Sequence, residues 1–239
     1  MITDIAANVL HIRERIQSAC VRVGRDASEI ELMAVSKARP LLAVEEAHKQ
    51  EISLFGENRV QEGIEKFASF KLHNEETASG NNVEIHLIGS LQRNKAKTAA
   101  DFFHCIQSVD RLSLVEELGP LTLGRAYPLM ILFEYHTGEE SKSGFPDLDS
   151  LFRAAEKALT FPGLNPAGLM TIAPFTADTQ AIRTSFRLCY NAREELKKRF
   201  PERSWPCLSM GMSGDFEIAL EEGSTLVRIG TAIFGEARL

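Results

Sequence analysis

Leu32-Met33-Ala34-Val35-Ser36-Lys37 is an apolar run closed by a lysine, and it reads as the first strand of a chain in which strands and helices alternate. A lysine at that end points from a packed core toward a mouth. Its counterpart near the other end is Leu226-Val227-Arg228-Ile229-Gly230-Thr231, an apolar strand that carries one arginine and then turns through glycine and threonine. The pair suggests an amine nucleophile facing a phosphate cradle.

Working outward, Ile5, Val9, Ile12, Ile16, Ala19 and Val23 recur at helical spacing and predict a helix before the first strand, ending near Gly24. After Lys37, Pro40 suits a first helical turn with Leu41, Val44 and Ala47 on one face. The cycle then repeats. Strands are expected at Ile52–Phe55, Val83–Ile88, Phe102–Val109, Pro128–Tyr135, Gly168–Ala173, Cys207–Met212 and Leu226–Phe234. Helices are expected around Val60–Phe67, Leu91–Ala100, Leu148–Leu159 and Ala177–Phe200, and one more is capped by Asp110 and ended by Gly119. Eight such units in 239 residues predict an α/β fold, a single (β/α)8 TIM barrel spanning 1–239 with an extra N-terminal helix. In that fold chemistry sits at the C-terminal ends of strands, here Lys37, Asn58, Gly89, Ser108, Met170, Ser209 and Thr231. Two long connections stand out. Lys71–Asn82 reads as an exposed excursion, and His136–Pro146 as a loop at the mouth that would serve as a lid.

The apolar fraction of 44% and charged fraction of 25% are ordinary for a globular protein. A net charge of −6 and a pI near 5.6 argue against general nucleic-acid or membrane-surface binding, which needs a positive field. Small metabolites are the better partners. Asp4, His11, Arg13, Glu14 and Arg15 interrupt the apolar core a secretory signal would need, and no apolar stretch approaches a membrane span, so the expected location is the cytoplasm. Cys20, Cys105, Cys189 and Cys207 lack paired spacing, which leaves buried free thiols and no metal motif.

A lysine attacks a carbonyl only when its amine is neutral, and an apolar setting favours that form. Lys37 taken alone reads first as a strand end reaching solvent, and the remaining motifs turn it toward a nucleophile. Ser209-Met210-Gly211-Met212-Ser213-Gly214-Asp215 is a turn of small residues whose backbone N–H groups suit an anion, with Ser213 also a candidate helix cap. Barrels often bind phosphate in the loops after strands seven and eight, which are this segment and Gly230-Thr231. Arg228 needs an acceptor: a salt bridge to Glu217, Glu221 or Glu222 is one reading, and a pyridine nitrogen the other. Asn58 follows a Gly56-Glu57 turn and either bonds locally or meets a ligand. His86 reads as a hydrogen-bonded interior histidine, and Arg93, Lys95 and Lys97 as a solvated face. A lysine with a phosphate cradle fits an aldehyde cofactor that bears a phosphate, pyridoxal 5'-phosphate.

Beyond these readings, the chain resembles the YggS/PROSC family of pyridoxal phosphate homeostasis proteins, related to the barrel domain of alanine racemase. The resemblance rests on Ala34-Val35-Ser36-Lys37, on Phe55-Gly56-Glu57-Asn58 with Val60-Gln61-Glu62, and on His86-Leu87-Ile88-Gly89 with Leu91-Gln92 and Asn94-Lys95. It continues through Ser141-Lys142-Ser143-Gly144, Gly168-Leu169-Met170, Leu208 to Ser213 and Val227 to Gly235. It implies a fold-type III barrel in which Lys37 holds the cofactor as a Schiff base, Asn58 lies beside it and Arg228 faces the pyridine nitrogen. Ser209 with Met210, Gly230 with Thr231, and Ser213 would hold the phosphate. It further implies intracellular cofactor homeostasis, carrying or buffering with effects on amino-acid balance, rather than a clear catalytic activity. Apoenzymes are the implied recipients and a monomer the expected state. An amino-acid racemase is the alternative, with no second base in view, and a cofactor-free Schiff-base aldolase the third. Arg59, Ser90 and Tyr135-His136 depart from the family pattern, at positions that bear on partner surfaces and the lid.

Overall fold

The computed structural model describes residues 4–74, 83–138 and 143–236. Eight parallel strands close into a barrel in sequential order, β1 to β8, and β1 pairs with β8 through Glu31↔Leu226 to Ala34↔Ile229. The strands are β1 (Glu31–Val35), β2 (Leu54–Glu57), β3 (Glu84–Leu87), β4 (Cys105–Val109), β5 (Leu129–Glu134), β6 (Leu164–Met170), β7 (Cys207–Ser209) and β8 (Leu226–Ile229). The helices are α1 (Ile5–Arg22), α2 (Leu41–Lys49), α3 (Val60–Asn74), α4 (Ala96–Phe102), α5 (Leu112–Leu121), α6 (Leu148–Leu159), α7 (Thr179–Arg199), α8 (Phe216–Glu221) and α9 (Thr231–Phe234). The expected TIM barrel with a helix ahead of its first strand is the observed architecture.

Period-two strands divide their side chains between two cores. Outward residues such as Ala34, Phe55, Ile85, Ile106 and Phe133 meet the helix ring in one large apolar cluster. Inward residues form two small ones: Met33 with Leu54 and Leu226, and Cys105 with Leu132, Ala167 and Met170. The extra helix α1 joins the outer ring beside α2, α8 and α9. Asp4 caps it by accepting from the Ala7 amide at 3.0 Å, and Val9, Ile12, Ile16 and Ala19 are its buried stripe.

Several boundaries differ from the sequence reading, each for a local reason. β6 starts at Leu164, four residues before Gly168, and carries Pro166 within it. Its register against β5 shifts between Ile131 and Leu132, a bulge of the kind that tolerates a proline. Gly168, at φ +154°, passes so close to β7 that a Cβ would lie 1.8 Å from the Cys207 carbonyl oxygen. Helix α5 runs through Gly119 and Pro120 to Leu121, because Gly119 is a packing position against the Phe161 ring rather than a stop. Arg111, not Asp110, occupies its N-cap position, and Asp110 pairs with Arg111 instead. β8 ends at Ile229 and β7 at Ser209, so Thr231–Phe234 is a short helix and 210–215 a turn. Helix α3 extends to Asn74, so the excursion expected from Lys71 lies, beyond that residue, in 75–82, outside the described residues. Residues 139–142 of the expected lid, with Ser141 and Lys142, also lie outside them.

Cys20, Cys105, Cys189 and Cys207 are free thiols, and burial pushes Cys189 and Cys207 up to about 12. They are therefore inert at neutral pH. No helix among the described residues is long and apolar enough to cross a membrane.

Candidate functional site

Lys37 opens the turn that leaves β1, and every neighbour of it is tied down. Ser36 Oγ donates to Glu57 Oε1 at 2.7 Å, while Lys66 Nζ from α3 donates to the Ser36 carbonyl at 2.6 Å and to Glu57 Oε1 at 2.7 Å. The Ala38 amide donates to Glu62, one helical turn before Lys66. Ala38 holds φ +55°, a left-handed conformation that costs a non-glycine residue about 1 kcal/mol. Arg39 closes the turn onto the Phe234, Gly235 and Glu236 carbonyls beyond β8. Lys37 is exposed on this rim, and its amine has no acceptor or acid partner among the described residues.

Beneath the turn, Glu57 is fully buried, and burial pushes its carboxyl above the ordinary range although Lys66 and Ser36 pull the other way. Its Oε2 has no hydrogen-bond partner among the described residues. Asn58 follows directly and is half-buried, with its carboxamide unpaired among the described residues. Its backbone lies so close to β3 that a Cβ on Gly89 would sit 2.2 Å from the Asn58 carbonyl oxygen, which fixes glycine there.

On the other side of β1 from β2 the loops after β7 and β8 meet. Ser213 Oγ accepts from the Ala232 amide at 3.2 Å and so joins the two loops; it does not cap α8, whose N-cap position is held by Asp215 without a side-chain cap bond. Among the described residues the backbone N–H groups of Ser213, Gly214, Gly230 and Thr231 donate to no protein acceptor. The helix α9 starts at Thr231, so its first amides project outward by geometry. A Cβ at Gly230 would meet nothing nearer than Val35 at 3.5 Å, which leaves room beside these donors. Ser209 and Met210, expected with them, are engaged elsewhere: Met210 donates its amide to the Leu226 carbonyl at 3.1 Å, and Ser209 is fully buried against Arg228.

Arg228 is 4% exposed and turned into the barrel. Its Nη1 donates to Ser209 O at 2.7 Å and Ser209 Oγ at 2.8 Å, and its Nη2 to Thr171 O at 2.8 Å. Glu217, Glu221 and Glu222 are paired with Arg15, Arg22, Arg183 and Arg187, so the salt bridge anticipated for Arg228 is not formed. Burial lowers its pKa, with Asp215 and Glu134 opposing. Glu134, at the end of β5, accepts from Ser143 Oγ at 2.9 Å and is pushed up by burial. His86 is the interior histidine expected, 2.9 Å from Gln107 Nε2 through Nδ1.

Lys37, Asn58, Ser213, Arg228, Gly230 and Thr231 thus gather at one end of the barrel. Sequence reasoning missed Lys66 and Gln107, and gave no role to Glu62, met only within the family motif. Glu62 and Lys66 have a helical i,i+4 spacing that looks like a solvated pair, and only their 29% and 8% exposed side chains show them turned to the Lys37 loop.

The model for the alanine racemase N-terminal domain matches residues 5–238. A pyridoxal phosphate homeostasis protein of Vibrio cholerae is 40% identical over 234 residues, covering 98% of this chain and 96% of that one. A crystal structure of an unknown protein from Bifidobacterium adolescentis superposes with a TM-score of 0.88 at 33% identity, over 98% of each chain. PipY of Synechococcus elongatus, solved with PLP bound, does so at 0.78 and 32% identity over 94% of this chain and 100% of its own. The chain therefore belongs to the alanine racemase N-terminal domain family and, within it, to the pyridoxal phosphate homeostasis proteins.

Proposed function

We propose that this protein binds pyridoxal 5'-phosphate at the barrel mouth, as a Schiff base on Lys37, and serves its homeostasis by holding and releasing it. The observation that carries the reading is a lysine amine and four backbone N–H groups that share one rim and have no partner among the described residues. A protein normally satisfies such donors, and leaving them open in a cluster suits an anion that supplies the acceptors. When bound, the cofactor supplies an aldehyde that condenses with an amine, and a ring that can draw electrons from it.

The chain's own residues divide that work. Lys37 donates its amine, and the Glu62 and Lys66 bonds on either side hold its backbone still while the side chain stays free. Ser213, Gly214, Gly230 and Thr231 direct their amides to the phosphate, and Asn58 lies beside the ring. Arg228 is the cation toward the ring nitrogen; a guanidinium stays protonated and discourages a second proton there, which weakens the ring as an electron sink. That favours storage over broad carbanion chemistry. Recipients would be apoenzymes that need the cofactor, within the cytoplasm. Absorbance titration with pyridoxal phosphate and with pyridoxal tests the assignment. We expect saturable binding of the first and at least about ten-fold weaker binding of the second, from the loss of charge-assisted hydrogen bonds. Equal affinity for the two would remove the phosphate cradle, and no uptake of either would remove the function.

A further inference from the structure

Below Arg228 a single file of polar side chains runs down an otherwise apolar barrel. Arg228 Nη1 lies 2.8 Å from Ser209 Oγ, Ser209 Oγ 2.7 Å from Gln107 Oε1, Gln107 Nε2 2.9 Å from His86 Nδ1, and His86 Nε2 3.5 Å from Glu84 Oε2. Ser209 and Gln107 are fully buried and His86 is 2% exposed, whereas the Glu84 side chain is 56% exposed at the opposite end. The cluster Cys105, Leu132, Ala167 and Met170 offers no competing polar group that would accept a hydrogen bond strongly.

The direction of every proton in this file is fixed by its first member. A guanidinium only donates, so Ser209 accepts from it and must pass its own proton to Gln107 Oε1. The Gln107 carboxamide is then oriented with its NH2 toward His86, and Nδ1 must be the unprotonated nitrogen. The remaining proton lies on Nε2, which has no hydrogen-bond partner among the described residues, with Glu84 Oε2 3.5 Å away. We propose that Gln107 and His86 are positioning residues for Arg228, holding its guanidinium in register for the cofactor ring. The proposal rests on the pyridoxal phosphate reading of the mouth.

The test is a pyridoxal phosphate titration of the wild type, His86→Phe, Gln107→Leu and His86→Asn at about pH 8. Asparagine places an oxygen where Nδ1 stands. His86→Phe and Gln107→Leu should bind about ten-fold more weakly and shift the absorption maximum of the bound cofactor. His86→Asn should restore affinity to within about two-fold. Wild-type affinity and spectrum in both His86→Phe and Gln107→Leu would overturn the proposal, as would a His86→Asn variant no better than His86→Phe. If the first two variants fail to fold, His86→Asn decides: affinity within about two-fold of wild type supports the proposal and a loss of about ten-fold overturns it. A wild type that takes up no cofactor would overturn the reading of the mouth, and this proposal with it.

Discussion

Charge is collected in opposite ways at the α7–α8 face and at the barrel mouth. At the former, Arg183 bonds Glu221 and Glu222 at 2.6 Å each, Arg187 bonds Glu222, and Arg22 reaches Glu221 at 3.1 Å. Each charge meets its opposite. At the mouth, Lys37 and four backbone amides stand without partners among the described residues, although the residues around them are densely bonded. A fold that satisfies its polar groups in one place and leaves a compatible set open in another marks where it holds itself together and where it holds something else.

Substitutions separate the two regions. The largest effect should come from Lys37→Ala, which removes the attachment amine: covalent cofactor is lost altogether, while the melting temperature of the cofactor-free protein moves by less than about 2 °C because the side chain holds nothing. Glu222→Gln should do the reverse. Its carboxyl is 1% exposed; burial pushes its pKa up, but Arg187 and Arg183 more than offset this and hold it below the ordinary range. Its stabilisation is present above the ordinary carboxylate range and is lost as pH falls through the lowered value. We expect a loss of about 2 kcal/mol at pH 7, below the usual cost of breaking a buried pair because both arginines reach solvent, and a narrowing gap in acid unfolding curves. Cofactor affinity should not change.

Thr231→Pro sharpens the contrast within the mouth. Proline suits the first position of a helix and removes an amide hydrogen and a side-chain hydroxyl, neither of which bonds anything among the described residues. Stability should hold while phosphate-dependent affinity drops about ten-fold, read as the pyridoxal phosphate to pyridoxal ratio. Glu134→Gln should have the smallest effect. Burial raises the Glu134 carboxyl, opposed by Ser143, so its favourable contribution is present below the ordinary range and disappears as pH rises through the raised value. The glutamine variant should melt about 2 °C higher than wild type at pH 8, with the difference closing in acid, as measured by thermal denaturation without cofactor.

The barrel was legible because its strands are apolar runs at regular intervals, and Lys37 and Arg228 because each is a charge set against such a run. Gly230 and Thr231 followed from the turn that ends β8. What stayed hidden depends on contacts between distant parts of the chain. Ser209 meets Gln107 across 102 residues, and Lys66 meets Ser36 across 30, so neither pairing leaves a local pattern. The strand through Pro166 and Gly168 was hidden differently: both residues usually break strands, and only the bulge and the close pass of β7 make them fit.

The central claim is that one particular amine carries the cofactor. Borohydride reduction of the protein incubated with pyridoxal phosphate, followed by peptide mapping by mass spectrometry, tests it directly. The account predicts a single stable adduct on Lys37. An adduct on Lys66 or Lys95 with Lys37 unmodified, or no adduct at all, would contradict it.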